Sequence, residues 1–225
     1  MSFARTAYVT FRKDLAIELR TKEIVTTTGL FAVLVALVAS LAFYLDASRA
    51  RAIAPGVIWI SITFAGLLAM TRSWAREREN DAFRMLLTAP VPRAGIYVGK
   101  VMASFVFACV IEVVLVPFAA MLFRVDLAAV AGPLLALLAL GTFGFVVTAT
   151  LFSALTIKSS ARDLMLSIVI FPLITPSLLA SVAGTRELFG GAPIADVLDW
   201  MRLLGAYDVA MLTAGAWLFG PLVAD

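Results

Sequence analysis

The sequence predicts an all-α membrane protein of about six transmembrane helices with an interfacial amphipathic helix at its N-terminus. Three observations carry that prediction. Of 225 residues, 62% are hydrophobic and only 15% charged, where a soluble domain holds about 45–50% and about 25%. The mean hydropathy is +1.01, and a chain this short has no interior large enough to hide so much apolar surface from water. The apolar residues also fall in runs of about 20 or more, the length at which a helix crosses the hydrocarbon core.

Composition excludes several chemistries. There is no histidine and one cysteine, Cys109, inside an apolar run. An intrachain disulfide is therefore impossible, and so is a histidine-based metal or heme site. Cys109 reads as a small packing residue. The net charge is +3 and the pI about 9.3, but the cations sit in loops between apolar runs, so topology rather than nucleic acid explains them. No phosphate-binding loop, nucleophile elbow or other catalytic set is present. The chain reads as no enzyme, with no metal and no tightly bound cofactor, and any ATP it uses must be bound by a separate subunit.

Residues 1–24 form the interfacial segment. At 100° per residue Phe3, Ala7, Phe11, Leu15, Tyr8 and Leu19 share one arc, with Arg5, Arg12, Lys13 and Arg20 opposite. Such a helix rests in the headgroup plane with its cations near anionic lipid. Asp14 and Glu18 intrude on the apolar arc, and an ordinary extension of the first span is the other reading. The charged residues ahead of the first run, and the length of that run, argue against a signal peptide. Six spans follow, at about 25–45, 53–74, 95–123, 127–156, 164–183 and 204–223. The third and fourth are long enough to tilt, break or project. The whole of 1–225 reads as one transmembrane domain, with no soluble domain and no clear internal repeat.

With the N-terminus inside, thirteen of the 18 Lys and Arg residues fall on the cytoplasmic side and five outside. The excess predicts that both termini are cytoplasmic.

Four places invite a role. The second cytoplasmic loop runs Arg76-Glu77-Arg78-Glu79-Asn80-Asp81-Ala82-Phe83-Arg84-Met85-Leu86-Leu87, then Thr88-Ala89-Pro90-Val91-Pro92-Arg93. Phe83, Leu86 and Leu87 at helical spacing predict a short amphipathic helix ended by Pro90 and Pro92. It either docks a soluble partner or tucks against the membrane. Glu112 stands as the only acidic residue deep inside a span, either a pore or proton-relay group or a carboxyl that holds helices together. Pro172 and Pro176, four residues apart in the fifth span, predict a kinked helix, hinged or fixed, while Pro55, Pro117, Pro133 and Pro221 sit nearer span ends or interrupt other runs. Residues 184–203 are the longest outer segment, broken by Gly184, Gly190, Gly191 and Pro193. They predict a short helix on the outer face with Trp200 as an interfacial anchor.

Several stretches together carry a resemblance. They are Ile53-Ala54-Pro55-Gly56-Val57-Ile58-Trp59, the charged loop with Leu86-Leu87-Thr88-Ala89-Pro90-Val91-Pro92-Arg93, and Gly99-Lys100. With them go Ser167-Ile168-Val169-Ile170-Phe171-Pro172-Leu173-Ile174-Thr175-Pro176 and Leu203-Leu204-Gly205-Ala206-Tyr207-Asp208. Nearly end to end, the chain resembles the cytochrome c maturation protein B family, also called heme exporter protein B.

The resemblance implies a six-span permease of the ABC-2 type in the bacterial inner membrane. Two copies pair, and each docks a cytoplasmic ATPase subunit, cytochrome c maturation protein A. It implies that the loop between spans two and three is the coupling helix, with Glu79, Asp81, Phe83, Leu86, Leu87 and Pro90 at the matching positions. Family loops often carry glycine after the aspartate and an acidic residue two further on, where this chain has Ala82 and Arg84. Also implied are a heme-handling membrane subunit, a small single-span subunit, a periplasmic heme chaperone and a role in c-type cytochrome biogenesis. Two mechanisms fit: heme itself is the transported substrate, or ATP-driven motion releases the heme-loaded chaperone. The lack of histidine leans toward the second. A proton-coupled secondary transporter using Glu112 is the alternative.

Overall fold

A computed structural model describes residues 2–43, 47–79, 90–155 and 169–224. These form seven helices and no strand: α1 (Phe3–Thr21), α2 (Glu23–Ala42), α3 (Ala47–Glu79), α4 (Arg93–Phe123), α5 (Ala131–Leu155), α6 (Phe171–Phe189) and α7 (Ile194–Ala224). In hydrocarbon each backbone polar group must find a partner inside the protein, and a helix supplies those partners to itself. Among the described residues α2, α3, α4, α5 and α7 are long and apolar enough to cross a membrane. The chain is thus an all-α, multi-pass membrane protein.

α3 and α5 are the most buried of these helices, and α2 and α7 the least. α2 presents one narrow stripe to the bundle, Ile24, Thr28, Ala32 and Ala36. Leu30, Leu34 and Leu41 on its other faces are more than half exposed, as suits a helix against lipid. The core has two parts along the bundle. One gathers Trp59, Ile62, Leu115, Phe123 and Leu137; the other, at the end where α1 lies, gathers Met70, Trp74, Tyr97, Val147 and Phe219.

Four features depart from the sequence reading. The run Arg76 to Glu79, read as loop, forms the last turn of α3, because nothing before it breaks the helix. Pro55, Pro117 and Pro221 lie inside helices rather than interrupting them. The outer segment 184–203 holds no separate short helix. Residues 184–189 finish α6, a turn follows at Gly191 (φ 78°), and α7 starts at Ile194 and continues unbroken. Gly191 takes the left-handed conformation, Pro193 precedes the first residue of α7, and no proline follows before Pro221. Residues 164–168 of the expected fifth span lie outside the described residues.

The fourth departure is α1. Its buried residues are Thr6, Thr10, Asp14 and Glu18, one stripe at i, i+4 spacing. Phe3, Tyr8 and Leu19 are 47%, 60% and 67% exposed. The acids that seemed to spoil the apolar arc are the docking face. α1 lies against the start of α4, where Gly95 and Gly99 let the backbones approach. A methyl group on Gly99 would stand 2.5 Å from the Ala7 carbonyl oxygen and 2.7 Å from Thr10 Cβ. One turn on, Lys100 Nζ donates to Asp14 Oδ2 at 3.0 Å, with Lys100 only 2% exposed. The sequence reading counted Lys100 among the cytoplasmic-side cations, at the edge of the third span; packing against α1 buries it. At the far end of α1, Lys22 adopts a left-handed φ of 53° and its N–H bonds the Glu18 carbonyl at 2.7 Å. The Glu18 carboxylate accepts the Val25 N–H at 2.9 Å. Those bonds offset the strain of a non-glycine residue there.

Gly99→Leu will push α1 off α4 and lower stability by about 1–3 kcal/mol. Gly56→Ala, where a methyl group meets open space, will not; thermal melting of the detergent-solubilised protein distinguishes them. Lys100→Met will cost about 3 kcal/mol by stranding a buried Asp14. The cost falls at the low end because Lys13 Nζ also lies 3.2 Å from that carboxylate. Asp14→Leu combined with Lys100→Met will recover most of the loss, and a double-mutant cycle measures it.

Candidate functional site

The residues on either side of the second loop are held in one knot. Trp74 lies near the end of α3 and is 3% exposed. The Lys100 ammonium sits 4.5 Å from the centroid of its ring, a cation–π contact in a desolvated place. Phe219 of α7 is tilted against Trp74, with centroids 6.3 Å apart, and against Tyr97, at 5.5 Å. Tyr97 is fully buried; its hydroxyl donates to the Val147 carbonyl of α5 at 2.9 Å. Gly215 of α7 leaves the space that this hydroxyl occupies. Arg93, the first residue of α4, donates from Nη1 to the Gly220 carbonyl at 3.0 Å. One side chain set therefore ties α1, α3, α4, α5 and α7 together where the loop leaves and re-enters the bundle.

Of the six loop positions singled out by the resemblance, Pro90 is described. It is exposed, in a bend leading to Pro92, which caps α4 with φ −62°. Glu79 is the last residue of α3. Asp81, Phe83, Leu86 and Leu87 lie outside the described residues.

Glu112 faces the bundle, 6% exposed, and accepts a hydrogen bond from the Thr142 hydroxyl of α5. Beside it an apolar cavity of about 380 Å³ opens between α4 and α5, lined by Cys109, Val113, Leu134, Leu135 and Leu138 among others. Glu112 is not the only intramembrane acid. Asp208, 5% exposed, sits near the middle of α7. The sequence reading placed it inside the last span yet near its end. The helix in fact begins at Ile194, which moves Asp208 to the centre. Pro172 occupies the first turn of α6 and Pro176 stands inside it. Trp200 lies over Gly184 of α6.

Lys100, Asp14, Trp74 and Asp208 are the side chains that sequence reasoning did not single out as candidates. Signals existed for three. Lys100 falls inside the third apolar run, Asp14 interrupts an otherwise apolar arc, and Asp208 falls inside the last run. Trp74 had none, because a tryptophan at a span end reads equally as an interfacial anchor. Among the described residues no group of three or more Cys, Asp or Glu is placed to hold a metal ion. What the arrangement does offer is a firm anchorage for the ends of α3 and α4 that flank the loop.

The profile of the CcmB protein family matches residues 5–221. The chain is similar to heme exporter protein B of Pseudomonas aeruginosa, 26% identical over 208 residues, covering 92% of this chain and 89% of the relative. It is similar to heme exporter protein B of Paracoccus denitrificans, 28% identical over 164 residues, covering 71% and 72%. The protein of that name from Bradyrhizobium diazoefficiens is 24% identical over 180 residues, covering 80% and 81%. With a match that spans nearly every residue from the interfacial helix to the end of α7, the chain belongs to the CcmB protein family.

Proposed function

We propose that this chain is the permease subunit of an ABC complex for c-type cytochrome biogenesis in a bacterial inner membrane, with both termini cytoplasmic. The observation that carries the reading is the knot of Asp14, Lys100, Trp74, Phe219 and Tyr97 at the two roots of the second loop. A loop that only bridged two spans would need no such anchorage. One that receives force from a soluble partner does, because a push on a slack hinge is lost locally. Glu79, Asp81, Phe83, Leu86, Leu87 and Pro90 form the contact with the ATPase, cytochrome c maturation protein A. ATP is hydrolysed there and not in this chain.

The relatives' name, heme exporter protein B, supports heme as the cargo of the complex. Two routes use the same joint. Heme passes this subunit, or motion of the bundle releases a heme-loaded periplasmic chaperone from the heme-handling and single-span subunits. The absence of histidine denies heme iron its usual nitrogen ligand here and favours release. Pro172 and Pro176, in and after the first turn of α6, supply a bend through which α6 moves. A second copy of the chain completes the permease.

In a strain lacking the chain, the wild type will restore heme-stained c-type cytochromes only with an active ATPase partner. Asp81→Lys, Phe83→Asp and Leu87→Asp will each cut ATPase copurification by about tenfold or more, the effect of removing a contact worth about 2 kcal/mol. Undiminished copurification with all three overturns the assignment of the loop, and normal cytochromes in the deletion strain overturn the role.

The alternative is a self-contained proton-coupled transporter using Glu112. The Thr142 hydrogen bond favours a structural carboxyl instead. Glu112→Gln keeps an acceptor oxygen for Thr142 and will leave cytochrome maturation at the wild-type level. Glu112→Leu orphans a buried hydroxyl and will cost about 1–2 kcal/mol in a melting experiment. Loss of maturation in the glutamine variant would restore the proton-coupled reading.

A further inference from the structure

Three helices meet at Gly144 of α5. A methyl group there would overlap Oδ1 of Asp208, and would lie 3.0 Å from the Tyr207 ring and 3.1 Å from Ser177 Oγ. The carboxylate of α7 and the hydroxyl of α6 therefore stand over one glycine. Ser177 Oγ donates to the Gly141 carbonyl at 3.3 Å. The Tyr207 hydroxyl donates to the Leu173 carbonyl at 2.8 Å and lies 2.8 Å from the Thr148 hydroxyl, which donates to the Gly144 carbonyl at 2.9 Å. One turn further along α6, Ser181 is fully buried against Gly141 and the Trp59 ring. Beyond it the Trp59 indole N–H donates to Thr185 at 2.9 Å. These groups form a polar column along α6 from Leu173 to Thr185, about 18 Å at the helical rise of about 1.5 Å per residue.

Two members of the column are unmatched. Both carboxylate oxygens of Asp208 are buried without a hydrogen-bond partner, and so is Ser181 Oγ. The charged and titratable groups that the described neighbours present are all elsewhere. Arg93 and Tyr97 of α4 meet α7 at Gly220 and Gly215, two to three turns from Asp208. Lys100 is engaged by Asp14, and Glu112 by Thr142. Arg186 and Glu187 stand beyond Thr185 at the other end of α6. Within hydrocarbon an ionised carboxylate with no counter-charge is expensive.

Beside Asp208 stands the neutral Ser177 hydroxyl, and the hydroxyls of Tyr207 and Thr148 lie along the same column. Oxygens suit hard cations. One carboxylate balances one positive charge, and a divalent ion would leave a net charge buried. We propose that Asp208, with the Ser177 hydroxyl beside it, binds a sodium ion inside the bundle. The site lies on the opposite side of α5 from the Glu112–Thr142 pair by helical position.

The test uses the full chain in lipid nanodiscs. Its melting temperature is followed as sodium chloride replaces N-methylglucamine chloride at constant ionic strength, and separately as pH is varied without sodium. A saturable rise with sodium supports the proposal. A pH dependence indifferent to sodium reports only protonation of the Asp208 carboxyl and overturns it. Asp208→Asn abolishes the sodium-dependent rise, and Ser177→Ala moves its midpoint by about three- to tenfold, the loss of one hydrogen-bonding hydroxyl. Wild-type melting indifferent to sodium, or the same sodium dependence in wild type and Asp208→Asn, overturns the proposal. Should Asp208→Asn fail to fold, Asp208→Glu and Ser177→Ala take its place, and an unmoved midpoint in both overturns it equally. None of these readouts depends on ATPase partnership or cytochrome maturation.

Discussion

The buried pair between Lys100 and Asp14 is the interaction from which the α1 end of the molecule follows. An ammonium 2% exposed at the edge of a membrane bundle is tolerable only with a counter-charge at hydrogen-bond distance. That requirement brings α1 against α4. Gly95 and Gly99 are small because a side chain there would strike α1, and Thr6 and Thr10 face inward because they share the stripe of Asp14. Trp74 lies under the ammonium, and its position sets where Phe219 and then Tyr97 pack. Remove the pair and the loop between α3 and α4 loses one of its anchors, though both spans still cross the membrane.

Away from that end, shape governs. Lipid tails are as apolar as leucine, so apolar burial alone gives helices little reason to associate within a bilayer. Close approach and polar contacts supply it instead. Gly66 of α3 receives Phe145 of α5, Gly141 receives Trp59 and Ser181, and Gly184 receives Trp200. Each glycine marks a crossing, and at Gly141 the Trp59 indole also finds a partner in Thr185. α2, with only a narrow stripe turned inward, is the helix least bound by such contacts. Its large apolar faces belong to lipid or to a neighbouring subunit.

The sequence made the fold class plain because hydropathy acts over 20 residues at a time and averages out local detail. It made the amphipathic pattern of α1 legible but not its inward face. Amphipathicity reads apolar residues as buried, whereas beside a membrane they are the exposed ones, and the polar stripe carries the docking. Glu112 was visible as a charge inside a run, but its partner, Thr142, 30 residues away, was not. Asp208 was hidden by a misplaced helix start. Gly190, Gly191 and Pro193 were read as breaking a whole outer segment, when one turn absorbed all three. Pairings such as Lys100 with Asp14, 86 residues apart, leave no periodic trace in a single sequence.

α7 joins the two polar features physically. At one end Phe219 and the Gly220 carbonyl are held by Trp74, Tyr97 and Arg93. Twelve residues away, about 18 Å along the axis, Asp208 meets Gly144 and Ser177. A further two turns on, Trp200 rests on Gly184. The helix is continuous through all three points, with Pro221 just outside the first of them, so it moves over that length as a rod rather than a chain. A displacement at the loop roots that shifted Phe219 would slide Asp208 across Gly144. There the fit leaves no room for a methyl group, and the carboxylate would exchange one set of oxygens for another. Whatever occupies the Asp208 site is therefore bound in one arrangement of α7 better than in the other, and that difference in affinity is the only currency in which an ion can bias the motion of the bundle.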